Sequence, residues 1–345
     1  MKKVVNYIIL IGLIGLTIWI LIRKNDISNF TLLISQTNKL YLVLAFLSMV
    51  LFWILDAAII HKMKKVLKIE GSFWSSVKLA MIGQYYSAIT PFATGGQPAQ
   101  VYSLVSDRVT NVGTASSLLI AKLLIYQIVV SFYSVFMFLG KFNFLLDNAK
   151  FSFPFVIIGC LANFFVALII IGLFYNENLI RKLFDGLLIL ANKFNLIKDL
   201  NKSKYKLNTH ILDYKAGFNI LKKDKVSTFI LVVVTFIQIT FYFSMTYFVY
   251  LAVKLPGTHY LDIIAVQSLH YMAVSFMPTP GTVGAAEGGF YMLYNSFVPK
   301  SILTFVIVLW RFIDYYFAVI VGGIVTLVDF ICQRNKRRIK YKSIM

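Results

Sequence analysis

Three ionisable residues stand where ionisable residues are costly. Glu287 lies in SFMPTPGTVGAAEGGFY (275–291), and Arg311 and Asp314 lie in LWRFIDYYF (309–317), both otherwise apolar. A charge at the centre of a membrane helix costs about 2.5–3.5 kcal/mol on insertion scales, so such residues usually face the protein interior and find a partner. Arg311 and Asp314 are three apart and share one helix face. Glu287 is one of only three glutamates in the chain. Two roles are open to the group. Either the carboxylates only neutralise Arg311, or the residues line a polar cavity where the cation holds a lipid phosphate and the carboxylate meets an amine or a proton. Lys122 is the matching cation of an earlier apolar segment, with Gln97 ahead of it as Glu287 is ahead of Arg311. Asp56, in FWILDAAII, falls near the inner end of its span and reads equally well as interfacial.

The elements that must position these residues are interrupted ones. PFATGGQPAQ begins at Pro91 and PGTVGAAEGG at Pro280, each inside a long apolar region. Unpaired backbone groups cost several kcal/mol each in lipid, so broken helices persist at membrane depth only inside protein or along a wet cavity. Pro91, Gly95 and Gly96 in the first region, and Pro278, Pro280, Gly281 and Gly284 in the second, are therefore read as helix breaks beside a cavity. Half-helix N-termini at such a cavity favour anionic groups. Lys122 follows Pro91 by 31 residues, and Arg311 follows Pro280 by 31. Two broken segments in the same order but opposite orientation mark an inverted-topology repeat, a pattern found in transporters.

The whole chain supports a membrane setting. It has 345 residues, 59% of them hydrophobic and 14% charged, against roughly 45–50% and about 25% for a soluble domain. The expected fold class is an all-α integral membrane protein, 1–345 as a single polytopic domain. Full spans are expected near 4–22, 40–60, 114–139, 153–175, 226–252 and 302–330, with the broken segments at 77–105 and 261–298. The first half runs to about 175, a cytoplasmic segment covers 176–225, the second half covers 226–332, and a basic tail follows at 333–345. Within 176–225, residues 179–194 have helical apolar spacing and suit either an amphipathic interfacial helix or a polar linker.

The formal charge of +20 is explained by its placement. Basic residues crowd the loop HKMKKVLK (61–68), the 176–225 segment and the tail, which by the positive-inside rule puts both termini in the cytoplasm of a plasma-membrane protein. No folded basic module for nucleic acid is in sight. The four histidines, His61, His210, His259 and His270, lack metal-ligand spacing, and Cys160 and Cys332 lie far apart in apolar segments. His270 reads as a hydrogen-bonded core residue. Neither a cofactor nor a metal is expected, and no hydrolase, P-loop or dinucleotide motif occurs.

GQYYSAITPFATGGQPAQVYSL (83–104), SFMPTPGTVGAAEGGFY and LWRFIDYYFAVIVGG (309–323) together resemble the lysylphosphatidylglycerol synthase transmembrane, or flippase-like domain, family. The likeness runs over roughly 5–330. It implies a membrane part that moves an aminoacylated or other polar phospholipid between leaflets, with Glu287 and Arg311 at polar positions of the second motif. Where members often carry an acidic residue after the first glycines, this chain has Gln97. Some members add a cytosolic domain that transfers an aminoacyl group from tRNA to phosphatidylglycerol. Only QRNKRRIKYKSIM follows Cys332, so the chain is expected to be the transport part alone. The implied partners are phospholipids, a separate lipid aminoacyltransferase, and a second copy in a homo-oligomer. The alternative functions are a phosphatidylglycerol lysyltransferase or its membrane subunit, and a scaffold that uses 176–225 for protein contacts.

The charge asymmetry generates a topology prediction. Single cysteines in 176–225 and in the tail should be shielded from an impermeant thiol reagent in intact cells, and cysteines in 140–152 should react. Outside labelling of 176–225 would overturn the assigned orientation.

Overall fold

A computed structural model of the chain describes residues 27–149, 153–175, 200–255, 257–275 and 277–342, together with Lys182 and Gly186. The regular elements among the described residues are all helical. In chain order they are α1 (Ile27–Gln36), α2 (Lys39–Val66), α3 (Phe73–Ala88), α4 (Gly96–Ser106), α5 (Val112–Gly140), α6 (Phe142–Ala149) and α7 (Phe153–Tyr175). The second part holds α8 (Leu200–Lys223), α9 (Lys225–Ala252), α10 (Tyr260–Val274), α11 (Ala285–Tyr294), α12 (Lys300–Arg311) and α13 (Phe317–Lys342). One π-helical turn, Phe312–Tyr316, joins α12 to α13.

Local sequence explains where the long helices begin. Asn38, Ser72, Asn111 and Asp224 each stand just before an apolar run and accept a backbone N–H of the first turn, at 3.0, 3.3, 2.8 and 2.9 Å. Such caps satisfy donors that the helix itself leaves unpaired. Hydrogen bonds from Ser227 hold the Asp224 carboxyl below its usual pKa range.

Four helices are long and apolar enough to cross a membrane: α2, α5, α9, and the continuous run from Lys300 through the π turn. These correspond to the spans expected at 40–60, 114–139, 226–252 and 302–330. The 153–175 stretch forms α7, 23 residues of largely apolar helix. The span expected at 4–22 lies outside the described residues, as does nearly all of the amphipathic stretch at 179–194. The later part of 176–225 is α8, which packs along α5. A side chain at Gly217 would run into the Ser117 hydroxyl. This half of the segment is docked on the bundle.

The two broken segments are helix–turn–helix hairpins. At the open end of the first, Lys78 on α3 meets Asp107, just past α4, at 2.8 Å. In the second, His270 and Gln267 on α10 bond to Ala286 and Tyr294 of α11, at 2.8 and 3.0 Å. The hairpins open at opposite ends of the bundle. Lys64, at the end of α2, bonds Ser75 at the base of the first hairpin. Asp262, at the base of the second, pairs at 2.9 Å with Lys141 just past the far end of α5. Their tips touch each other between the two ends.

The tips match residue for residue. Thr90 and Thr279 are extended, Pro91 and Pro280 start a single 3-10 turn, and the next two residues are left-handed. Ala93 N donates to Thr90 O and Thr94 N to Pro91 O, as Thr282 N does to Thr279 O and Val283 N to Pro280 O. The α-helix resumes five residues after each proline, at Gly96 and Ala285. Registered this way, Glu287 corresponds to Pro98. The pairing of Gln97 with Glu287 inferred from sequence is off by one residue.

At Gly281 the backbone has φ +59°, and a Cβ would run into the Tyr315 ring. Overpacking of this kind costs about 1–3 kcal/mol, and left-handed strain adds to it. Gly281→Ala should therefore lower the thermal unfolding temperature in detergent measurably. Gly288→Ala, which meets open space inside α11, should not lower it and should raise it slightly, since alanine favours a helix over glycine. Equal behaviour of the two variants would contradict the tip geometry.

Candidate functional site

The hairpin tips and the long helices around them enclose a cavity of about 650 Å³. The tips contribute Phe92, Thr94, Gly281 and Thr282 to its wall. Asp56 on α2, Lys122 on α5, Arg311 on α12 and Asp314 in the π turn line it as well. The space is therefore bounded by broken backbone and by charge, the two features that cannot face lipid.

Arg311 is the most connected of these groups. Its side chain is 4% exposed; Nε lies 2.8 Å from Glu287 Oε1, and Nη1 lies 3.2 Å from Asp314 Oδ2. The contact with Glu287 is a close ion pair without hydrogen-bond alignment. Nη2 donates to the Gly281 carbonyl at the tip of the second hairpin. The guanidinium also sits over the Tyr315 ring, 4.4 Å from its centroid. Tyr315 in turn donates its hydroxyl hydrogen to Ala88 O, at 3.3 Å, at the end of α3. One cation thus pairs with two carboxylates, leaving the trio a formal charge of about −1, and fixes one tip, and its aromatic neighbour reaches the helix leading to the other. The planar five-donor guanidinium suits this many-sided role, which a lysine would not fill.

Glu287 itself caps a helix. It sits in the first turn of α11, and its other oxygen accepts from Gly284 N at 2.6 Å. A carboxylate there is favoured by the helix dipole and by the free N–H groups. The positive end of α11 is thus occupied by the chain's own carboxylate. It is not an open phosphate seat, contrary to the expectation for the second broken segment. Glu287 reaches the cavity wall through Arg311.

Lys122 and Arg311 are not equivalent. Lys122 Nζ pairs with Asp56 at 2.6 Å, a partner on α2 rather than on its own hairpin. Asp56 is 3% exposed, and Gln238 on α9 approaches it at 3.4 Å. This corrects the interfacial reading of Asp56. Asp56 is enclosed by α2, α5 and α9 rather than facing outward at the end of its helix. Gln97 lines the cavity half-buried, beside Gly96, where a side chain would run into the Ser87 hydroxyl and the Gly83 carbonyl. Gly95 N is held by the Thr90 hydroxyl at 2.8 Å. Pro278 precedes the second tip on the same loop.

Sequence reasoning passed over several residues that line the cavity. Tyr126, Tyr242 and Tyr271 form an edge-to-face cluster, with Tyr242 hydrogen-bonded to Asp314. Gln84, Gln100 and Gln127 add amides; Gln100 donates to Leu79 O at 2.9 Å and Gln127 to Asn163 Oδ1 at 3.0 Å. The available signal was the run of glutamines inside apolar helices, since polar side chains there usually face other helices. His270 is buried and bonded to Ala286, in line with its reading as a core residue.

The ion network sets an order of mutational cost. Arg311→Gln would leave Glu287 and Asp314 without their shared cation, and breaking a buried pair this way costs about 3–5 kcal/mol. Glu287→Gln leaves Asp314 on Arg311 and should cost less. Thermal unfolding in detergent should rank wild type above Glu287→Gln, and Glu287→Gln above Arg311→Gln. The reverse ranking of the two variants would contradict the network.

Comparisons with known proteins bear on the family of the chain. A sequence model of the lysylphosphatidylglycerol synthase TM region matches residues 7–322, which include both hairpins and the helix bearing Arg311. The chain is also similar to a UPF0104 membrane protein of Archaeoglobus fulgidus, 28% identical over 316 residues, or 90% of this chain and 94% of that protein. This helical membrane chain belongs to the lysylphosphatidylglycerol synthase transmembrane-region family.

Proposed function

We propose that the protein moves a polar or aminoacylated phospholipid between leaflets of the plasma membrane, with the headgroup in the central cavity and the tails in the bilayer. The observation that carries this reading is the cavity itself. Its volume falls within the range of about 300–1,000 Å³ typical of small-ligand sites, and it lies where two hairpins from opposite ends meet. A headgroup crossing hydrocarbon needs replacement partners for its lost water, and here they are amides, hydroxyls and two ion-pair groups. Lys122 and Arg311 offer donors to a phosphate; Asp56 and Asp314 offer acceptors to an amine. Because each charge already has a partner, a headgroup would exchange with existing pairs rather than fill an unpaired site. Both entry and release are then inexpensive. A separate lipid aminoacyltransferase would be the source of an aminoacylated substrate, and both termini would face the cytoplasm.

The test is a leaflet-exposure assay with purified protein in liposomes, using phosphatidylglycerol, phosphatidylethanolamine and aminoacylated phosphatidylglycerol in turn. At least one lipid should equilibrate faster than in protein-free liposomes, and Lys122→Gln should slow it about tenfold or more. Protein-free rates for every lipid would overturn the proposal.

A further inference from the structure

The charges around the central cavity do not balance. Lys122 and Asp56 pair one to one. Arg311 pairs with both Glu287 and Asp314, one cation against two carboxylates. The Lys122–Asp56 pair is already neutral and does not offset the excess. A buried ion left uncompensated is strongly disfavoured, so one further positive charge belongs at the trio.

The two carboxylates are held differently. Glu287 is fixed as an anion: one oxygen accepts from Gly284 N at 2.6 Å in the first turn of α11, and the other lies 2.8 Å from Arg311 Nε. The dipole of α11 favours negative charge there. Asp314 lies mid-helix in the π turn, with no helix N-terminus behind it, and its side chain is 11% exposed. Arg311 Nη1 reaches it at 3.2 Å, a looser contact than the one with Glu287. Its other partner is the Tyr242 hydroxyl, which can donate to a carboxylate or accept from a carboxylic acid. The odd charge therefore belongs to Asp314.

We propose that Asp314 holds one exchangeable proton and that a headgroup ammonium displaces it, so that lipid crosses in exchange for a proton. The proton site stands on the charge count; the exchange rests on the reading of the cavity as a headgroup site. In the step, hydronium gives its proton to a carboxylate oxygen and leaves as water. When an ammonium arrives, the carboxyl returns the proton to solvent water and pairs with the headgroup. The trio lacks one positive charge, so the proton and the ammonium exclude each other. The other groups around Asp314 do not compete for this role. Tyr271 on α10 and Tyr126 on α5 are neutral phenols, and Tyr315 lies over the guanidinium with Tyr85 and Tyr316 close to it. His270 on α10 is bonded to Ala286 O and enclosed by the Phe290 and Trp310 rings, and a charge on it would add to that of Arg311.

Two measurements separate the proton site from the transport reading. Infrared difference spectra of the purified full-length protein, recorded as pH is lowered, should show the carbonyl stretch of one buried carboxylic acid. Asp314→Asn should remove that band, Glu287→Gln should keep it, and Asp314→Glu should shift it, which keeps the test open where the asparagine variant does not fold. A band absent from wild type, or unaffected by either Asp314 variant, would overturn the proton site whether or not the protein moves lipid. The second measurement uses liposomes containing aminoacylated phosphatidylglycerol, with the membrane potential held at zero by potassium and valinomycin. Across a gradient of about one pH unit, wild type should enrich the lipid up to about tenfold in the leaflet facing the acidic side, the limit for one proton per lipid. Reversing the gradient should reverse the enrichment, and Asp314→Asn should abolish it. Rapid movement that leaves the leaflets equal would overturn the exchange and leave the transport reading standing.

Discussion

Backbone that stops being helical inside a bilayer must be paired by something other than water, and the rest of this structure follows from that constraint. The chain breaks twice at membrane depth, and each break is closed first by its own two turn hydrogen bonds. The remainder is supplied by tertiary partners. Arg311 donates to the Gly281 carbonyl at one tip, and the Tyr315 hydroxyl donates to Ala88 beside the other. The cation is then the group needing compensation, and Glu287 and Asp314 provide it. A buried charge that would be a liability alone becomes the fixture on which two hairpins converge. The π turn that follows Arg311 widens the helix where Asp314 and Tyr315 face inward; such bulges are frequent at functional sites.

Sequence and structure agree best where chemistry is punctuated. Pro91 and Pro280, with glycines behind them and a cation 31 residues on, were enough to find two related hairpins. The repeat holds at the level of individual turn hydrogen bonds, although only the threonine, the proline and the glycine just before the resumed helix (Gly95 and Gly284) are identical across the tips. What the pattern could not give was register and reach. Gln97 looked like the partner of Glu287 because it is the polar side chain nearest that place, whereas the equal length of the two tips puts Pro98 there. Asp56 was under-read for a different reason: its partners Lys122 and Gln238 come from helices far away in sequence, and hydropathy carries no signal of such a contact.

The two halves have also diverged in how they handle charge. In the second, the cation and its carboxylates lie in one hairpin and the helix after it. In the first, Lys122 reaches across to Asp56 on α2, and Pro98 stands where Glu287 would be. Symmetric backbones therefore carry asymmetric electrostatics. One hairpin is locked to its neighbour by a guanidinium, and the other is bordered by an amide.

The central claim is that the space between the tips is a headgroup site rather than a packing defect. The most direct measurement is an experimental density map of the protein embedded in lipid nanodiscs. The account predicts headgroup density between the Lys122–Asp56 pair and the Arg311–Asp314 pair. A cavity closed by side chains, with lipid confined to the outer surface of the bundle, would contradict it.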